Sequence, residues 1–457
     1  MCSGRLISAS DIHMRLHLYS ALAGLWFLLP GSAARAQAQP PDPSITVSRA
    51  EGPATPAASG GGTPTKVIGA PDFVGRLGVN THIHYTDGGY ASVPKVIDAI
   101  KYLGISNLRD GVPNPTVAGG GGTHFGKFGA AGFKFDFVVD PGLPLAKTVS
   151  MIEDFAMLYP GSVSAIEGPN EVNNWPVTYQ GQKGPDAAIA YQNDLYKAVK
   201  SSSIIKNVPI YNLTSWPELF AKSDVYNAHT YPPRGEQPDK YVKDVIEKAK
   251  HVDLKAPPVI TEVGYYTLPG KGLWGGVDTA TQAKLTLNLL LDAVEADISK
   301  IYLYQLLDAY PDPTSDEMEK HFGLFDLGYQ PKPAASAIRN LIATVTAKDR
   351  TGSRGEGGTP TFSVSSGDLA VKRLLVDGDG DIATLILWDE RTIWNGETNV
   401  AVPATPVKVT ATSDRELTKI EVFDPTAGEK PVETHDKAQS VTVELAGYPK
   451  LIRFRGP

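Results

Sequence analysis

Short apolar runs alternate with helical patterns along residues 76–347, and this alternation constrains the fold more than any other feature. Strands that alternate with helices predict βαβ units and a parallel sheet. Eight strands within about 275 residues favour a closed (β/α)8 TIM barrel over a doubly wound sheet, and no G-x-G-x-x-G motif follows the first strand. The strand candidates are 76–80, 106–109, 133–139, 162–168, 208–213, 224–229, 257–262 and 300–307, and the helix candidates are 93–103, 144–158, 185–200, 239–250, 279–296 and 333–347.

The C-terminal part of the chain has a different pattern, which begins at the breaker-rich stretch TGSRGEGGTP (351–360). No helical period occurs there, so an α/β barrel at 67–350 is predicted to be followed by an antiparallel β-sandwich accessory domain at 351–457. The sequence DGDGD (377–381) resembles half of a calcium loop but lacks the later bidentate glutamate, so we interpret it as a hairpin turn. The strand candidates of this domain are 369–376, 382–388, 406–412, 418–423 and 439–454.

The N-terminus has the composition of an export signal. Residues 18–29 are almost entirely apolar, and Ala34-Arg35-Ala36 provides small residues at the spacing that a signal peptidase reads. An apolar stretch of about a dozen residues is shorter than the ~20 that span a bilayer. We therefore predict a signal peptide at 1–36, with Met1 or Met14 as the start, and a secreted or periplasmic mature chain without a membrane anchor.

Composition excludes several kinds of partner and site. The net charge is −7, so no basic field is available to bind nucleic acid. The only cysteine, Cys2, lies in the predicted signal peptide, and the mature chain therefore has no disulfide and no thiolate metal site. Residues 37–66 are rich in Pro, Ala, Gly, Ser and Thr and are predicted to form a disordered linker.

Two glutamates follow apolar strands directly, at the end of the barrel where chemistry takes place. Glu171 follows the fourth strand and Glu262 ends the seventh, so they are expected to face each other across the barrel mouth. Two carboxyls about 5 Å apart provide a nucleophile and an acid/base in retaining glycoside hydrolysis. Arg109 ends the second strand and needs an anionic partner, for which Glu262 is a candidate. Glu167 is interpreted as a rim residue that pairs with a nearby Arg or Lys.

Other polar and aromatic residues near the strand ends have structural interpretations beside functional ones. Asp140 precedes Pro-Gly and is interpreted as a turn residue, and Asp308 can serve loop solvation alone. Trp175, Trp216 and Trp274 lie in predicted strand-end loops, where each can either stack on a sugar or pack against protein.

Four motifs make the chain resemble the clan A glycoside hydrolases, and family 39 with its related secreted endoglycosidases most of all. The resemblance covers residues 72–347 and implies a retaining glycosidase barrel, with a trailing β-sandwich of the kind many such enzymes carry. The motifs are GPNE (168–171), HTYPP (229–233), VITEVGY (259–265) and HFGLFDLGYQPKPAASAI (321–338).

The resemblance implies a role for each matched residue. Glu171 would be the acid/base, protonated in the free enzyme, and Glu262 the nucleophile. Asn170 would bind the sugar 2-hydroxyl, while Tyr231 and Arg109 would hydrogen-bond the nucleophile.

The same resemblance suggests further substrate-binding residues and one departure. His82 and His229 would line the glycone subsite, and Gln305 and Trp175 complete the predicted binding set. Many clan members have a tryptophan at the end of strand eight, whereas this chain reads YLYQLLD (302–308). The floor of the glycone subsite is therefore expected to differ. Gly-rich and Pro-rich loops at 111–132 and 231–239 are expected to shape the cleft.

We predict a secreted retaining β-glycoside hydrolase that needs no cofactor or metal and acts on an extracellular or cell-envelope polysaccharide or its oligosaccharides. A metal-dependent amidohydrolase is one alternative, with His82, His84, His229 and Asp308 as ligands, although strand five ends without a histidine and strand four has no lysine. A non-catalytic polysaccharide-binding barrel is the other alternative. Two facing acids argue against it, because their repulsion costs stability that a pure binder has no reason to give up.

Overall fold

The computed structural model describes residues 65–117, 121–348 and 358–456. The predicted signal peptide and the linker up to residue 64 lie outside the described residues. The strands before residue 348 are β1 (Lys66–Gly69), β2 (Leu77–Asn80), β3 (Asn107–Gly111), β4 (Lys134–Val138), β5 (Val163–Glu167), β6 (Thr178–Tyr179), β7 (Gln182–Lys183), β8 (Ile210–Tyr211), β9 (Asn227–His229), β10 (Val259–Val263) and β11 (Lys300–Leu303). The helices are α1 (Ala70–Gly75), α2 (Val93–Leu103), α3 (Gly121–Ala130), α4 (Leu145–Leu158), α5 (Pro185–Ser201), α6 (Asp239–Ala249), α7 (Thr279–Glu295) and α8 (Pro333–Val345).

Eight strands form one parallel sheet in the order β8-β5-β4-β3-β2-β11-β10-β9. The sheet closes through a parallel bridge between Tyr211, in β8, and Val225, two residues before β9. Most sequential strands are neighbours joined by a helical crossover, as a TIM barrel requires. The predicted (β/α)8 fold is confirmed, and it places the ends of β3, β5, β9, β10 and β11 around one mouth.

Two connections differ from the sequence-based expectation. The segment 111–132, expected to be a loop, contains α3, whose four glycines hide its helical pattern. Packing supports this helix, because Phe125 and Phe128 are buried and the Phe125 ring lies 5.6 Å from that of Phe135 in the barrel. The segment 212–226 after β8 contains no helix and crosses directly to β9.

The C-terminal domain is built from one sheet in the order β1-β13-β14-β19-β17-β12, with β18 paired to β17. The sheet folds over along β17, and the ring of Phe362 faces that of Phe454 at 4.7 Å, so the predicted β-sandwich is confirmed. DGDGD forms the β13–β14 hairpin turn, where the Gly378 amide donates to the Ile382 carbonyl at 3.0 Å. The strands are β12 (Phe362–Ser365), β13 (Lys372–Asp377), β14 (Ile382–Trp388), β15 (Trp394–Asn395), β16 (Val400–Ala401), β17 (Val407–Phe423), β18 (Glu433–Leu445) and β19 (Lys450–Arg455).

The two domains share a strand and a hydrophobic core. Lys66–Gly69, which the sequence assigned to the end of the linker and the start of the barrel, pairs in parallel with β13. Leu374, Val376 and Trp388 of the C-terminal sheet belong to the same buried cluster as the barrel helices. Burial of these side chains fixes the domain against the outer side of the barrel. Among the described helices, none combines the length and apolar character needed to cross a membrane.

Candidate active site

Arg109, at the end of β3, connects most of the predicted site residues. Its Nη1 donates to Glu262 Oε1 at 2.5 Å and to Asn80 Oδ1 at 2.9 Å. Its Nη2 donates to Asn170 Oδ1 at 2.8 Å and, together with Nε, to the carboxylate of Glu167. Burial alone would lower the pKa of this guanidinium, but the two carboxylates hold the pKa well above its ordinary value. A permanent buried cation therefore fixes the positions of three acceptor side chains.

Glu262, on β10, is held by donors on both of its oxygens. Oε1 accepts from Arg109, and Oε2 accepts from the Tyr231 hydroxyl at 2.8 Å. The side chain is 11% exposed, so it reaches the barrel mouth while its orientation is set from below. Both expected partners of this carboxylate are in contact with it.

Glu171 lies four residues after β5 in a conformation that favours glycine, with φ of 39°. The backbone amide of Glu171 donates to Thr214 Oγ1 at 2.8 Å, which helps to hold this unusual conformation. Its Oε1 lies 2.9 Å from His229 Nδ1, and its Oε2 accepts from Asn174 Nδ2 at 3.0 Å. The side chain is 31% exposed and is therefore accessible from the cleft.

The protonation of Glu171 differs from the sequence-based expectation. Burial raises the pKa of this carboxyl, but the hydrogen bonds from His229 and Asn174 and the positive charge of His229 outweigh burial and lower the pKa overall. Burial likewise lowers the pKa of His229, yet Glu262 and Glu171 raise it overall. The expectation that Glu171 is protonated in the free protein is therefore not supported, because both shifts place the proton on His229.

His229 lies between the two carboxylates. One oxygen of Glu171, one oxygen of Glu262 and a ring nitrogen of His229 all lie within 4.8 Å of one another. His229 Nδ1 is also 3.5 Å from Glu262 Oε2. Carboxyl groups separated by about 5–5.5 Å are characteristic of retaining rather than inverting glycosidases. The structure therefore brings together the two glutamates at the retaining distance, with a titratable ring in contact with Glu171.

An aromatic wall borders the mouth beside Glu262. Trp274 stacks on Tyr231 with ring centroids 5.2 Å apart, and Tyr304 meets Tyr231 edge-on at 6.3 Å. His82 packs against Tyr304 at 5.6 Å, and burial together with the Arg109 charge lowers the pKa of His82 to about 3, so its imidazole is neutral. Tyr304 thus stands where the sequence comparison noted a missing tryptophan.

Two predicted substrate-binding residues have structural contacts instead. Gln305 is buried, and its Nε2 donates to the backbone oxygen of Glu319 at 3.0 Å, so Gln305 positions the loop after β11. The backbone amide of Trp175 donates to the Glu171 carbonyl at 3.0 Å and closes the turn that carries Glu171.

Glu319 is a site residue that the sequence did not indicate. It is half-buried, and its Oε2 accepts from the Tyr304 hydroxyl at 3.2 Å. Burial, together with the negative charge of Glu262, raises the pKa of Glu319 to about 7. It lies in a short 3-10 turn at residues 318–320, far from any strand end, and no pattern in the sequence distinguishes it from other loop glutamates.

Glu167 pairs with an arginine as expected, but it is not a rim residue. It is fully buried inside the barrel. Besides Arg109, it accepts from Asn227 Nδ2 at 3.0 Å and from Thr261 Oγ1 at 3.1 Å. Four barrel strands thus converge on one carboxylate beneath the mouth, and this network supports the residues above it.

The structure does not assemble the ligand set of the amidohydrolase alternative. Asp308 forms an ion pair with Lys332 at 2.7 Å, and His84 accepts from the backbone amide of Asn114 at 3.4 Å. In the described parts of the chain, the groups of acids and histidines close enough to hold a metal are Glu171-His229-Glu262 and Asp312-Asp316-Glu317, and neither includes His82, His84 or Asp308. Asp140 accepts from the Gly142 amide at 2.8 Å, in agreement with its interpretation as a turn residue.

Comparison with known proteins places the fold. No protein-family model and no curated protein matches the sequence. The structure is similar to that of a family 39 glycoside hydrolase from the gut symbiont Bacteroides cellulosilyticus WH2, with TM-score 0.59, 15% identity and coverage of 85% of this chain and 82% of that chain. It is also similar to the family 39 enzyme from Xanthomonas axonopodis pv. citri, with TM-score 0.54, 12% identity and coverage of 87% and 96%.

A third similar structure is the monomeric β-xylosidase from Caulobacter crescentus CB15, with TM-score 0.54, 14% identity and coverage of 86% of this chain and 99% of that chain. Matches of this extent include the C-terminal domain as well as the barrel. The fold is therefore that of family 39 and other clan A glycoside hydrolases: a TIM-like barrel with a C-terminal β domain.

Proposed function

We propose that the protein is a secreted retaining β-glycoside hydrolase that cleaves a polysaccharide or oligosaccharide by double displacement. The observation that carries the proposal is the pair Glu171 and Glu262, whose carboxylate oxygens lie within 4.8 Å of each other at the ends of adjoining parts of the barrel mouth. The similarity to family 39 structures supports glycosidase activity, because the fold carries this pair at its usual functional end.

In the first step, a Glu262 oxygen attacks the anomeric carbon as the bond from that carbon to the glycosidic oxygen breaks. Arg109 and Tyr231 hold the attacking carboxylate in place. The leaving oxygen takes the proton shared by the Glu171–His229 pair, delivered through Glu171, which has the more exposed side chain. The products of this step are a glycosyl ester of Glu262 and the free leaving group.

In the second step, Glu171 removes a proton from water, the water oxygen attacks the anomeric carbon, and Glu262 leaves as a carboxylate. The anomeric configuration is retained because it is inverted twice. Asn170 has its Oδ1 tied to Arg109 and makes no further side-chain hydrogen bond within the described residues. Its Nδ2 is therefore available to donate to the sugar 2-hydroxyl.

The test begins with Glu171→Gln and Glu262→Gln, each of which we expect to lower kcat by roughly 10³-fold or more, because each removes a group that acts in the transition state. Glu416→Gln, an exposed glutamate on β17, is the matched control and should keep full activity. Activity is measured as reducing ends released from a polysaccharide panel. If Glu262 variants remain active, the assignment is wrong.

Azide distinguishes the nucleophile from the acid/base. We expect azide to restore turnover to Glu262→Gly and to give a glycosyl azide of inverted configuration, because the small anion replaces the missing carboxylate in one displacement only. The anomeric configuration is read by proton NMR. A parent protein that binds polysaccharide but releases no reducing ends would support the non-catalytic alternative instead. Sequencing the N-terminus of the mature chain from culture fluid and periplasm tests the proposed export.

A further inference from the structure

Trp216 is a strongly exposed aromatic side chain on a well-ordered loop. The side chain is 70% exposed, in the segment 212–226 that replaces a helix after β8. Asn212 braces this loop, since its Nδ2 donates to the Leu219 carbonyl at 2.7 Å and its Oδ1 accepts from the Ala221 amide at 3.2 Å. A large apolar surface held rigidly in solvent is suited to binding, because little conformational entropy is lost on contact.

A chain of hydrogen bonds connects this loop to the proposed acid/base. The Trp216 amide donates to Asn173 Oδ1 at 2.9 Å, and Asn173 Nδ2 donates to Asn174 Oδ1 at 2.9 Å. Asn174 Nδ2 then donates to Glu171 Oε2 at 3.0 Å. The position of Trp216 is thereby fixed relative to Glu171 rather than to the aromatic wall beside Glu262.

Lys248 sets the orientation of the indole. Its Nζ lies 5.3 Å from the centre of the Trp216 ring, in a cation–π contact. Two carboxylates hold the ammonium there, with Lys248 Nζ 3.0 Å from Glu218 and 2.7 Å from Asp244. Since one face of the indole is next to Lys248 and the side chain remains 70% exposed, the opposite face is open to solvent.

We propose that the open face of Trp216 is the stacking platform of a subsite for the leaving group, and that this subsite takes a sugar ring. The inference rests on the proposed function, in which Glu171 protonates the glycosidic oxygen and therefore contacts the leaving-group side of the bond. An indole face complements the apolar C–H face of a pyranose ring. The substrate class is then a glycan whose leaving group is itself a sugar chain, not a glycoside of a small alcohol or phenol.

The experiment compares two substrates with the same glycone. One is the oligosaccharide on which the parent is most active in a panel of β-linked gluco-, xylo- and manno-oligosaccharides, and the other is the matching para-nitrophenyl glycoside. We expect Trp216→Ala to lower kcat/KM for the oligosaccharide about tenfold, mainly through KM, as the loss of one stacking contact implies. The value for the para-nitrophenyl glycoside should stay within about twofold, since that leaving group has no sugar to stack.

Two variants control this comparison. Trp216→Tyr keeps an aromatic face and should recover most of the oligosaccharide activity. Leu158→Ala removes an equally exposed apolar side chain, 71% exposed at the end of α4, and should change neither substrate. An unchanged oligosaccharide kcat/KM in Trp216→Ala, or an equal loss on both substrates, would overturn the subsite. The proposed function fails separately, if the parent hydrolyses neither substrate.

Discussion

The barrel mouth and the domain interface each contain two close acids beside a cation, yet they differ in chemistry. At the interface, Asp292 on α7 accepts from Lys372 Nζ at 2.6 Å and from Trp388 Nε1 at 2.9 Å. The second oxygen of Asp292 and the Oε1 of Glu390 have no donor among the described residues. Burial raises the pKa of Asp292, and burial together with Asp292 raises the pKa of Glu390 to about 9. These acids therefore share a proton in the native protein.

At the mouth, cations determine the charge state instead. Arg109 contacts Glu262, and His229 contacts Glu171, whose pKa is lowered overall. The difference is that the interface pair is enclosed between domains, whereas Glu171 is open to the cleft. Two neighbouring acids are therefore not sufficient to mark an active site. Separate positive partners and access for substrate distinguish the mouth from the interface.

Removing the buried cation should have the largest effect. Arg109→Met leaves Glu167 and Glu262 without their shared positive partner, so we expect the free energy of unfolding to fall by about 3–5 kcal/mol and hydrolysis to be lost. Arg109→Lys should recover part of the stability but not the full hydrogen-bond set, because an ammonium cannot reproduce the guanidinium fork. Urea denaturation measures the stability. A loss below about 1 kcal/mol would show that the network is not the main support of the mouth.

The sequence predicted the barrel well because its signals are local. Strand and helix periods fixed seven of the eight barrel crossings in outline, and α3 was missed because its stability comes from packing by Phe125 and Phe128 rather than from propensity. Glu171 and Glu262 were found because each follows an apolar strand. Glu319, Asn174 and the domain-sharing role of Lys66–Gly69 were not, since they depend on loop placement and long-range pairing that no period records.

His229 gives the next largest effect and tests what separates the mouth from the interface. His229→Gln removes the positive partner of Glu171, so the pKa of Glu171 should rise. In the proposed mechanism the free enzyme must carry the catalytic proton, and loss of that proton sets the alkaline limb of kcat/KM. A higher pKa of the acid moves this limb to higher pH, while kcat at the optimum falls by roughly tenfold to hundredfold. A pH–rate profile records both changes.

Asn174→Ala is the graded partner of His229→Gln. It removes the other donor to Glu171 but leaves His229 in place, so the alkaline limb should shift in the same direction by less. A limb that moves to lower pH in either variant would contradict the assignment of Glu171 as the acid.

The smallest effect is expected at the interface, where the shared proton affects stability and not catalysis. The pKa of Glu390 rises from an ordinary value of 4.5 to about 9, so between these values the native state binds a proton that the unfolded state has released. This contribution to stability is fully present below pH 4.5 and is lost as pH rises through 9. Glu390→Gln keeps a neutral side chain at every pH, and its free energy of unfolding should therefore fall less steeply between pH 5 and 9 than that of the parent. Urea denaturation at several pH values measures the slope, and kcat/KM at pH 7 should be unchanged. Parallel slopes in the two proteins would mean that Glu390 is ionised in the native state, and the contrast between interface and mouth would then rest on exposure alone.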